Sequence, residues 1–179
     1  MTGAVRRLVV VGAAGGDGAS TVARVAAHAA FASGRAGGVL TRPDDPGPAP
    51  TEGGVAGSHL VVDAGPHGAD GTGRPGDVAI LVCAANTGAI ERARALMSAE
   101  GQGGGGRVFA ALVITARSRG EQRRARIRLQ QAASDPRTLA LPYDPELRFG
   151  RSSREPATVS VGRQLAALLN GSTLRATGG

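Results

Sequence analysis

Short apolar runs alternate along this chain with glycine- and proline-rich stretches, and the alternation predicts its elements. Leu8-Val9-Val10-Val11, Val39-Leu40-Thr41, His59 to Asp63, Asp77 to Val82 and Val108 to Thr115 read as strands, the last one fully buried. Three helical stretches stand out. Ser20 to Ser33 is apolar nearly all round, which predicts burial on more than one side, and Gly34 suits its C-terminal cap. Gly88 to Glu100 carries an apolar face at Ile90, Ala93, Leu96 and Met97, and Val161 to Asn170 is apolar on one side. Between them lie loops at Pro46 to Gly57, from Pro66 to Gly76, and at Gly101 to Gly106. Strands alternating with helices predict one α/β domain. Its sheet is doubly wound and mostly parallel, with about six or seven strands and helices on both faces.

The first of these units carries the richest chemistry. A strand leads into Gly12-Ala13-Ala14-Gly15-Gly16-Asp17-Gly18, and a helix follows at once. Glycines let main-chain N–H groups turn inward, and the helix start adds unpaired N–H groups and a favourable dipole, so the turn is shaped for a phosphate. A phosphate loop of this kind also needs a lysine just before its hydroxyl residue, to neutralise the β- and γ-phosphates. Ala19 stands there instead.

On these residues the chain resembles the ParA/MinD group of P-loop ATPases, whose loop reads K-G-G-x-G-K-[ST]-[ST]. Gly15, Gly16, Gly18, Ser20 and Thr21 match that pattern, and Asp17 takes its free position. Both lysines are absent: Ala14 replaces the one that reaches across a dimer, and Ala19 the general phosphate lysine. The resemblance implies a P-loop-type fold, ATP or ADP with Mg²⁺ held by Gly15 to Thr21, and Ser20 and Asp63 at the metal. Asp63 ends an apolar run, as the family's Mg²⁺-side aspartate does. Asp45, before Pro46, matches the family's water-orienting aspartate, although Pro43 replaces an earlier one. The plain alternative for Asp44 and Asp45 is a pair of turn-forming residues between prolines. Leu139-Ala140-Leu141-Pro142-Tyr143-Asp144 resembles the sixth strand and its exit, which places Pro142 near the base. Thr115-Ala116-Arg117 stands where relatives carry an adenine-contacting asparagine. Loss of a transition-state cation typically costs a few kcal/mol, so the expectation is impaired or absent ATP hydrolysis.

Composition refines this picture. All 21 basic residues are arginines, against 14 carboxylates. Residues 1–106 hold eight arginines and nine carboxylates, whereas residues 107–179 hold thirteen and five. Arg117, Arg119, Arg123, Arg124, Arg126 and Arg128 concentrate on a predicted helix whose other side carries Ala125, Leu129, Ala132 and Ala133. That cationic face suits DNA phosphates or an acidic protein, and a merely solvated surface is the plain alternative. The chain lacks Trp, which disfavours a base-stacking platform.

Cys83 is the single cysteine; it excludes an internal disulfide, fits a reducing cytoplasm and reads as a small buried hydrophobe. His28 shares a helix face with Arg24 and lacks partners at metal-site spacing. No run reaches the roughly 20 apolar residues of a membrane span. Three functions remain open at this point: a pseudo-ATPase acting as a positioning or scaffold partner, a slow ATPase with an arginine supplied from elsewhere (a homodimer being one source), and a nucleotide-independent DNA- or acidic-protein-binding module.

Overall fold

The computed structural model describes residues 6–33, 37–40, 59–66, 76–102, 108–124, 135, 137–169 and 171. Its strands are β1 (Arg6–Gly12), β2 (Gly37–Leu40), β3 (His59–Pro66), β4 (Val78–Ala84), β5 (Phe109–Thr115) and β6 (Thr138–Leu141). They form one six-stranded sheet in the order β2-β3-β1-β4-β5-β6, and each neighbouring pair is parallel. The helices are α1 (Ala19–Ala32), α2 (Thr87–Gln102), α3, described over residues 119–124, α4 (Pro145–Arg148) and α5 (Pro156–Leu168).

Alternation along each strand divides the core in two. Leu8 and Val10 of β1, Val61 of β3 and Ile80 and Val82 of β4 point to the face covered by α1 and α5. Val9, Val11, Val62, Leu81 and Cys83 point to the face covered by α2. A central strand buried on both sides must be apolar throughout, which explains the unbroken Leu8–Val11 run. From β1 the chain moves to the β2 side, and from β4 it moves the opposite way to β5. Right-handed crossovers therefore put α1 and α2 on opposite faces. The direction reverses at the β1/β4 boundary, and open α/β sheets place their ligand crevice at such a point, outside the C-terminal ends of the strands.

Several boundaries differ from expectation. α2 continues through Gly101 to Gln102, because Gly costs a helix only about 1 kcal/mol relative to Ala. Val108 lies outside β5 and is exposed rather than buried. The last helix begins at Pro156, five residues before Val161, and Pro156 takes its first turn, where a missing N–H costs nothing. As expected, that helix buries Leu165, and Leu168 is also buried. Ile90 and Ala93 of α2 are buried, with Leu96 and Met97 packed beside them. Thr41, Gly34 and the loop Pro46 to Gly57 lie outside the described residues.

Candidate functional site

The turn between β1 and α1 sits at the C-terminal end of β1, beside the strand carrying Asp63 and at the direction change of the sheet. The Ala13 N–H donates to the Val82 carbonyl at 2.7 Å, which fastens the start of the turn to β4. Gly16 and Gly18 have φ of 78° and 89°, a left-handed backbone that glycine adopts freely. Gly18 is the residue before α1, and no side chain caps the helix. Two left-handed glycines and an uncapped helix start therefore follow β1.

The interior of the turn differs from expectation. Asp17, expected among the nucleotide-holding residues, is 6% exposed, and its Oδ2 accepts the Ala14 N–H at 2.7 Å. The main-chain carbonyl of Asp17 accepts the Thr115 hydroxyl at 2.7 Å, and the Cys83 carbonyl lies 3.3 Å from the same hydroxyl. The two positive-φ glycines fold the segment between them back on itself, so the side chain at 17 turns into the protein. The Ala14 N–H, one residue before the expected cradle of Gly15 to Thr21, is thus already taken by the chain's own carboxylate. That fixed negative charge is felt nearby. Burial first, and Asp17 second, push the Cys83 thiol up to about 12. The Arg117 guanidinium, held mainly by Glu121 at 2.7 Å, also feels Asp17.

The other expected site residues are placed as follows. Gly15, Gly16 and Ser20 are exposed at the mouth of the turn, and Ala19 and Thr21 are half-buried in the first turn of α1. Asp63 is buried at 7% exposure, and its Oδ1 accepts the Gly65 N–H at 3.0 Å. A register shift at Val10/Val11 leaves Ala64 without a partner on β1, so Asp63 pairs with Val10 and Gly65 with Val11. Pro142 is half-buried just after β6. Asp45, Arg126 and Arg128 lie outside the described residues. Arg119, Arg123 and Arg124 are exposed on α3, whereas Arg117 is engaged by Glu121 through both its guanidinium and its main-chain N–H. His28 is an exposed helix residue, as its position predicts.

A magnesium–triphosphate group does not fit these residues well. Ala14 and Ala19 stand where the resemblance would put cations, and Asp17 brings a carboxylate into the turn. Among the described residues no helix is long and apolar enough to cross a membrane. Compared with known families, the chain matches no family model, and no curated protein matches it in sequence.

Proposed function

We propose that this chain is a ParA/MinD-like protein whose nucleotide site has ceased to transfer phosphoryl groups and which works as a positioning or scaffold partner. By the resemblance, its setting would be cell division, DNA segregation or assembly of a pilus or secretion apparatus. The observation that carries this reading is the Ala14 N–H donating to the Asp17 carboxylate inside the glycine-rich turn between β1 and α1. The order of strands supports it too, since β3 with Asp63 lies directly beside β1. A loop filled by its own anion and stripped of its ammonium groups retains the frame of an enzyme without the charge that stabilises a transferring phosphoryl.

Calorimetric titration tests it directly. The expected result is no saturable binding of Mg²⁺–ATP or Mg²⁺–ADP at about 1 mM, and no turnover above a buffer control. ATP hydrolysis at the rate of about 1 per second or faster that ordinary enzymes reach, and that disappears in Asp63→Ala, would overturn the reading.

A second, nucleotide-independent reading draws on the exposed Arg119, Arg123 and Arg124. It requires DNA binding that falls steeply with salt and is lost when these three become alanine.

A further inference from the structure

A cavity of about 730 Å³ lies along the outer side of α1, from Thr21 to the end of the helix. Its floor is apolar, with Val25 and Ala29 from α1, Leu147 from α4 and Val159 from α5. Gly162 makes the floor shallow and continuous. A Cβ there would stand 3.2 Å from both Ala29 and Val25, tighter than an ordinary contact, so glycine suits the close approach of α5 to α1. The far wall is the segment between α4 and α5. The buried Asp144 braces it by accepting the Glu146 N–H at 3.0 Å, the Thr158 hydroxyl at 3.3 Å and the Ser153 hydroxyl. The wall is thus fixed in place before anything docks.

The cavity is elongated. Its lining runs along α1 from Thr21 to Ser33, which at 1.5 Å per residue is about 18 Å, or a little over three helical turns. Its rim is cationic. Arg24 and Arg163 line it, no carboxylate does, and among the described residues neither arginine has a carboxylate partner. Arg151 is already engaged, 3.6 Å from Glu146 and 5.8 Å over the Phe149 ring. Phe31, 68% exposed, stands at the open side as an apolar contact without cover among the described residues.

We propose that this groove docks an acidic amphipathic helix of a partner protein, about three turns long. The apolar floor would take residues spaced i, i+4 and i+7, and Arg24 and Arg163 would meet flanking carboxylates. A second copy of this chain is a poor occupant, because its net charge of +7 would face the same arginines. The inference does not depend on the nucleotide reading, since of the expected cradle residues Gly15 to Thr21 only Thr21 lines the groove, at its end.

The probe is a fluorescein-labelled helical peptide of about fourteen residues, with leucines at i, i+4, i+7 and i+11 and glutamates between them. Anisotropy should show saturable binding that weakens at least about tenfold in the Arg24→Glu, Arg163→Glu double variant. A lysine version of the peptide should recover binding to that variant. Ala32→Trp, at an exposed lining position, should also weaken binding by filling the groove. Thermal melts of each variant establish that it is folded. Equal binding of a peptide with scrambled leucine positions would overturn the proposal. So would unchanged binding in the folded variants, no binding to the native chain, loss of binding on Arg123→Glu and Arg124→Glu instead, or displacement of the peptide by laurate at equal concentration, which would assign the groove to a small amphiphile.

Discussion

The Thr115 hydroxyl reaches across 98 positions of sequence to donate a 2.7 Å hydrogen bond to the main-chain carbonyl of Asp17. Thr115 closes β5, and Asp17 lies in the turn after β1, so one bond ties the floor of the candidate site to the far side of β4. Thr115 is 5% exposed, and a Cβ on Gly18 would come within 3.1 Å of its oxygen, so the turn backbone passes close to the hydroxyl. Thr115→Val, which keeps the shape and removes the donor, should lower unfolding free energy by about 1–3 kcal/mol in urea titration, because a buried carbonyl is left unpaired. Thr115→Ser should retain most of it.

The Asp17 carboxylate makes a second prediction possible. Asp17→Ala should destabilise the fold by about 1–3 kcal/mol, as expected for the loss of a hydrogen bond to a charged acceptor. The same change joined to Ala19→Lys should do the opposite for phosphate. Calorimetry should then show Mg²⁺–ATP binding at least about tenfold tighter than to the native chain, since an anion has been removed and a cation restored at the turn. If neither variant binds nucleotide better than the native chain, the filled turn is not what keeps nucleotide out.

Cys83 provides a pH signature. Its side chain is fully buried, and burial together with Asp17 holds its thiol at about 12, against 9.0 for an ordinary thiol. As pH rises past about 9, the unfolded chain releases this proton first and the folded chain keeps it, so folding stability falls between about pH 9 and pH 12. The loss from this group is at most about 1.4 kcal/mol per pH unit. Urea midpoints at about pH 8 and about pH 10 should therefore diverge more in the native chain than in Cys83→Ala. Iodoacetamide at about pH 8 should modify the folded protein only as fast as it opens.

Gly162 offers a packing test. Gly162→Leu places a side chain where Ala29 and Val25 already stand at 3.2 Å, and it should cost about 1–3 kcal/mol by prising α5 from α1. Thermal denaturation followed by circular dichroism measures it. An unchanged melting temperature would mean that the two helices are less closely seated than described.

The strands were legible because most apolar runs have Gly, Pro or Asp on at least one side, and a two-sided sheet leaves no polar alternation to confuse the reading. The parallel doubly wound architecture followed from the spacing of strands and helices. Helix ends were harder. Val161 looks like the start of α5 because apolar periodicity begins there, whereas Glu155-Pro156 marks the true start by its chemistry. In the loop, Asp17 reads as one of the nucleotide-holding residues, because neighbouring glycines say only that the backbone bends, not where the side chain goes. An Asp three residues beyond a loop amide was the available signal, since short carboxylates satisfy nearby main-chain N–H groups. The groove was not legible. Its floor joins residues 25 and 29 to residues 147, 159 and 162, and only the crossing of α1 and α5 brings them together.

A loop stitched down at both faces behaves as part of the sheet and not as a surface strap. The Ala14 amide, though near solvent, should therefore trade its hydrogen for deuterium no faster than the central strands do, and should surrender it only when the whole domain comes apart.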